Sequence, residues 1–163
     1  MPTEKEQFIQ TWEREFHTTV KVMKAYPADK LDLKPAEKSK SARDLLFVFA
    51  NEQHFLSQIL DGALDFTSQP PKPPATLEEI VSATEKGSAV LMEKLNGMPD
   101  TSFEKNVAFP VAPRTMSDVR KMDLLWMMLM DSIHHRGQLS VYIRLAGGKV
   151  PSIYGPTADE PWM

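Results

Sequence analysis

Proline and glycine set the frame of this chain, because they are concentrated between its periodic apolar segments. Segments patterned at three- and four-residue steps fold as amphipathic helices, and the spacing predicts four. The first runs about Thr3–Tyr26 and stops before Pro27, with Phe8, Trp12, Phe16, Thr19, Met23 and Tyr26 on one stripe and Arg14 and His17 off it. The second runs about Ala42–Leu60, with Ser41 as its cap, Asp44 in its first turn and Leu45, Phe49, Leu56 and Ile59 facing inward. A third opens at Thr76, where Glu79 completes a capping box, and continues to about Leu95, its inner face carrying Leu77, Ile80, Val81, Thr84, Leu91 and Leu95. Gly87 weakens it, since glycine inside a helix costs about 1 kcal/mol relative to alanine. The fourth runs about Ser117–Ala146 and ends at Gly147-Gly148. No segment alternates with period two, so the expected fold is an all-α bundle in a single domain over residues 1–163. Two connections, around Pro70–Pro74 and over Gly97–Met116, exceed what adjacent antiparallel helices need, so at least one is expected to cross the bundle. The tail after Gly148 is not helical, and Ile153, Tyr154 and Trp162 are expected to pack it onto the body.

Composition removes several function classes. The chain has 163 residues, 19 basic and 22 acidic side chains and a net charge of −3, with no run of Lys and Arg that would bind a phosphate backbone. It has no cysteine, which excludes disulfides, thiolate metal sites and cysteine nucleophiles. Its longest strongly apolar stretch, Leu124–Met130, is far shorter than a membrane span of about 20 residues, and the start MPTEKEQF lacks a signal core, so a cytoplasmic protein is expected. That same stretch is apolar nearly all round the helix, more than one core needs, and predicts a homodimer through helix four. The Met cluster within it reads as packing material.

The informative residues are polar ones in apolar surroundings. At 100° per residue, Leu124, Met128, Asp131, His135, Leu139 and Tyr142 share a stripe, so Asp131 and His135 face inward one turn apart, as a helical pair of metal ligands does. His134 falls on a shoulder and Gln138 near the stripe, while Arg136 and Arg144 fall away from it and read as surface salt-bridge partners or contacts to an anionic substrate. On the second helix Glu52 occupies the middle of the apolar face and His54 points the opposite way. Two carboxylates and an imidazole in one interior are costly unless paired or bound to a cation. Zn, Mn, Fe or Ni would suit that donor set and leave open positions. Alternatively Asp131 and His135 bond each other and Glu52 pairs with Arg43 or a lysine.

The run DSIHHRGQLSVYIRLAGGKVPSIYGP, with SARDLLFVFANEQ and EREFHTTVKVMKAYPADKLDLKP, resembles the DinB-like proteins over essentially the whole chain, the most specific element being His135–Gln138. The resemblance implies a four-helix bundle of up-down-down-up connectivity, commonly homodimeric, often with a divalent metal on three histidines. Characterised relatives include thiol-dependent S-transferases and a maleylpyruvate isomerase, and many members have no assigned activity, so the likeness does not name a reaction. Of the three histidine positions this chain keeps His135, has Asp131 at the second and Val48 at the third. Valine cannot ligate, so Glu52, one turn on, is the expected substitute, with His54 the runner-up if the helix is rotated. Two readings follow. In one, Glu52, Asp131 and His135 hold a cation in a transferase or hydrolase acting on a small molecule, where the cation lowers the pKa of a bound thiol or water and His134 or Tyr142 assists proton transfer. In the other, the protein is a metal-free binding or stress-response bundle and the trio fixes helix register.

Overall fold

Capping chemistry decides where three of the helices begin. In the computed structural model, which describes residues 1–67, 69 and 71–163, Thr3 and Glu6 close a capping box at the head of α1 (Glu4–Lys24). Ser41 accepts from the Asp44 amide to open α2 (Ala42–Asp61), and Thr76 and Glu79 form a second box on α3 (Leu77–Gly97). Gly62, in the left-handed conformation at φ 73°, ends α2. Of the connection expected around Pro70–Pro74, Pro70 itself lies outside the described residues.

The fourth helix starts later than its pattern indicates. Residues from Ser117 to Arg120 belong to a β-hairpin, β1 (Asn106–Ala112) and β2 (Thr115–Arg120), and α4 (Lys121–Leu145) follows directly. The all-α expectation is corrected accordingly: the fold is four helices and a two-stranded antiparallel sheet, paired Val107 to Val119 and Phe109 to Ser117. Val107 is buried and Phe109 and Val119 pack partly buried against the core, with Phe109 edge-on to Phe55 and Phe66, but the intervening Ala108 and Pro110 and the polar residues of β2 blur the period-two signal.

Contacts between helix ends set the packing. Lys5 at the start of α1 donates to the Asn96 and Met98 carbonyls at the end of α3, and Arg120, just ahead of α4, pairs with Glu4 at the start of α1. Lys121 opens α4 beside the end of α2, its Nζ 2.6 Å from the Leu60 carbonyl, and Lys94 late in α3 pairs with Asp61 at the end of α2. Each of these cations sits where carbonyls or carboxylates gather.

The core divides into two apolar halves. Phe8, Trp12, Leu56, Ile59, Leu91, Leu95, Leu125 and Leu129 anchor one; Val22, Met23, Leu45, Phe49, Ile80, Leu139 and Ile143 anchor the other. Between them every helix contributes buried polar residues: Glu15 and Thr19 from α1, Glu52 and Gln53 from α2, Thr84 and Ser88 from α3, Ser132 and Arg136 from α4. A polar layer thus crosses the middle of the bundle. It is the level at which burial is most expensive and partners are most needed.

The tail packs partly as expected. Ile153 lies against the core and Tyr154 reaches inward with its hydroxyl, but Trp162 is 63% exposed. The Leu124–Met130 run is largely absorbed by the chain's own core, since Leu124, Leu125, Met128 and Leu129 are buried and Trp126 packs edge-on to Phe8. Met127 and Met130 remain outside.

Candidate metal centre

Within the polar layer, α2 and α4 bring Glu52, Asp131 and His135 together, with one donor atom from each inside a span of 4.8 Å. His135 Nδ1 lies 3.0 Å from Glu52 Oε1 and 3.5 Å from Asp131 Oδ2. Donors bonded to zinc at about 2.0–2.1 Å and tetrahedral angles lie roughly 3.3 Å apart, so these two separations suit a shared cation. The Glu52 side chain is 4% exposed and that of Asp131 47%, so the trio has a buried and an open side.

Glu52 is the member whose surroundings ask for a further partner. Its Oε1 faces His135, while Oε2, buried, has no hydrogen-bond partner among the described residues. Burial pushes its carboxyl above the ordinary range and the His135 bond opposes that; Ser132 also favours the charged form without an ordinary hydrogen bond. The His135 imidazole is pushed up by its bond to Glu52, against burial and with help from Asp131. The two shifts compete for one proton, which we place on His135, because two carboxylates face the ring and it is the less buried partner. The donor set fits a divalent cation: two oxygens and a nitrogen, one oxygen buried and unsatisfied.

Clefts open on both sides of this trio. One, of about 370 Å³, is walled by Val48, Phe55 and Met128 and reaches Glu52. The other, of about 480 Å³, lies between α4 and the segment before α2 and reaches His135. A site with a cleft on either side can admit a small molecule.

On the opposite side of α4 the same layer holds a second charged group that the helical wheel misplaces. Arg136, expected to point away, is 1% exposed: it donates to Glu15 Oε2 at 2.7 Å, to the Glu15 carbonyl and Thr19, and to the Tyr154 hydroxyl, whose ring it also faces. Tyr154 in turn donates to Glu15 at 2.6 Å. Arg136 lies on a ladder with Leu125, Leu129, Ser132, Leu139 and Ile143, all buried, so the buried face of α4 is broader than the expected stripe and turned toward this ladder. That ladder was present in the sequence as the signal.

The other expected site residues fall as follows. His134 is exposed and bonded to Gln138 at 2.9 Å; the Tyr142 hydroxyl donates to the Lys40 carbonyl at 3.1 Å. Val48 lines the first cleft and provides no donor. His54 is exposed, paired with Gln58, and stands apart from the trio. Arg43 pairs with Asp32 and bonds the Pro74 and Ala75 carbonyls instead of Glu52. Arg144 pairs with Asp159 in the tail.

Comparison with known proteins agrees with this architecture. A crystal structure of a DinB-like protein from Bacillus cereus ATCC 10987 superposes with a TM-score of 0.77 at 19% identity, covering 90% of this chain and 95% of that one. A DinB-like protein, YjoA, from Bacillus subtilis superposes at 0.71 and 20% identity, covering 96% and 99%. At those identities the likeness concerns the fold. The uncharacterized protein YrdA of Bacillus subtilis is 49% identical over 37 residues, which are 23% of this chain and 22% of that protein. The family model described as DinB family matches residues 1–162, and the chain therefore belongs to the DinB family.

Proposed function

We propose that this protein is a metal-dependent enzyme of the transferase or hydrolase kind that acts on a small molecule, with Glu52, Asp131 and His135 as the ligands of its cation. The observation that carries this reading is the buried, unpartnered Oε2 of Glu52 in a trio whose donor atoms span 4.8 Å. A buried carboxylate oxygen left without a partner costs about 1–3 kcal/mol, more when the group is charged, and a divalent ion offsets that cost. A Zn, Ni, Mn or Fe ion held there would supply Lewis acidity and lower the pKa of a water or low-molecular-weight thiol presented to it. The half-exposed side of Asp131 and the flanking clefts give access. His134 and Tyr142 serve as proton carriers in this reading, each released from its present partner, Gln138 or the Lys40 carbonyl. The contacts between helix ends support an up-down-down-up order of the four helices in one domain.

One observation favours a second reading. The Glu52–His135 hydrogen bond already closes an ion pair, which is what a metal-free binding bundle with a buried polar network would use. Elemental analysis of protein purified without chelator or affinity metal separates the two. Near-stoichiometric metal in the wild type that is lost in Glu52→Gln and His135→Ala supports the enzyme reading. No metal, and none acquired from added Zn, Ni or Mn, leaves the metal-free network.

A further inference from the structure

The cleft on the His135 side is cationic in a chain that is acidic overall. His135, Lys38, Lys40, Leu45 and Tyr142 line it, Leu45 as an apolar wall, and no Asp or Glu among the described residues does. Neither Lys38 nor Lys40 forms an ion pair among the described residues, as is also true of Lys34, Lys72, Lys86, Lys105 and Lys149; what sets the pair apart is that both line one cleft beside His135. The lysine segment is anchored. Tyr142 holds the Lys40 carbonyl from α4, the Ala42 and Arg43 amides bond the Leu33 and Leu31 carbonyls, and Ser41 caps α2 immediately after Lys40. Two ammonium groups are thus carried on a fixed backbone beside a cavity large enough for a small organic molecule.

The electrostatic balance there depends on the trio. Without a metal, Glu52 and Asp131 outweigh the single charge on His135 and a net negative centre opposes an incoming anion; a dication held with a neutral imidazole cancels both carboxylates and leaves the lysines to set the local field. We propose that this cleft binds the carboxylate of a small organic substrate between Lys38 and Lys40, next to the metal centre. The inference rests on the metal reading above for what lies at His135. Lysine acts here as a point charge, so the preference is for negative charge over a neutral isostere, with the apolar wall favouring an organic anion over an inorganic one.

The test uses the full chain, 15N-labelled and loaded with zinc, titrated with benzoate, benzamide and inorganic phosphate. Benzoate is expected to saturate shifts of the amides at Lys38–Lys40 and Gln138–Tyr142, and to bind about tenfold more tightly than benzamide or phosphate. The Lys38→Gln/Lys40→Gln double variant should abolish that preference while its thermal midpoint and zinc content stay at wild-type level. Equal binding of benzamide, phosphate as tight as benzoate (an adventitious ion only), or an unchanged preference in the double variant would each overturn the proposal. Zinc content, measured on the same samples, reports separately on the metal reading. A chain that takes up no zinc yet keeps a lysine-dependent preference for benzoate removes the metal and leaves the anion cleft standing.

Discussion

At the scale of single residues, the polar layer works because each buried charge on the α1 side meets its opposite. Arg136 and Glu15 pair with Tyr154 bonded to both, so removing either charged member strips the other of its buried counter-charge, leaving Glu15 only the exposed Arg14 at 3.4 Å. Arg136→Met should therefore cost about 3–5 kcal/mol in urea unfolding, and adding Glu15→Gln should recover much of it. A loss under about 1 kcal/mol, the range of exposed pairs, would contradict the group's buried character. Burial pushes the Glu15 carboxyl up, but hydrogen bonds from Tyr154 and Arg136 and the Arg136 charge outweigh it and hold it below 4.5. A carboxyl lowered in the folded state contributes stability above its unfolded pKa and loses it as pH falls through the folded pKa. Acid titration of stability should thus show a decline below 4.5 that flattens in Glu15→Gln; equal slopes would remove Glu15 from the acid response. Glu52, Asp131 and His135 were legible in the sequence because they lack an obvious partner. Glu15 and Arg136 were not, since a residue that looks solvated on a narrow stripe becomes interior once the buried face of α4 widens.

At the scale of elements, helix existence was written in capping boxes and apolar periodicity, while the hairpin was not, because six of its seven β1 residues and all of β2 lie outside the buried set. Its core-facing side, Val107 and Phe109 with Val119 opposite, is masked in the sequence by the apolar Ala108 and Pro110 between them and by the short, polar β2. Gly87 shows the converse, a residue that looks like a defect in α3 and has a packing role. A methyl at Gly87 would lie 2.8 Å from Gln53 Cβ, so glycine lets α3 approach α2 at the polar layer. Replacing glycine with alanine gains up to about 1 kcal/mol in helix propensity, and overpacking costs about 1–3 kcal/mol. Gly87→Ala should therefore lower the thermal midpoint; a rise would mean that Gln53 yields easily. Lys121 is a second such case, since its ammonium, lowered in pKa by burial, rests on the Leu60 carbonyl at the end of α2. Lys121→Met should destabilise by about 1–3 kcal/mol through the carbonyl it leaves unmatched, measured by denaturant melts.

At the scale of the whole molecule, the two apolar halves hold the bundle and the layer between them gathers its buried polar side chains. Outside, α4 presents Met127, Met130 and Leu145, all exposed and within about 40° of one direction at 100° per residue. A second copy covering this stripe remains our reading of the surplus apolar surface, narrower than the sequence implied because most of the Leu124–Met130 run is spent in the chain's own core. Sedimentation should give a dimer at micromolar concentration and a monomer for Met127→Glu/Met130→Glu; a wild-type monomer would contradict it. The central claim is that Glu52, Asp131 and His135 form one cation site despite the valine at position 48. Cobalt(II) titration tests it most directly, since ligand-field absorption reports the ion's coordination without any knowledge of the substrate. Saturation is expected at one equivalent per chain, with absorption lost in Glu52→Gln and His135→Ala while helical circular dichroism is retained. Absence of uptake by the folded wild type, or uptake unchanged in both variants, would contradict it.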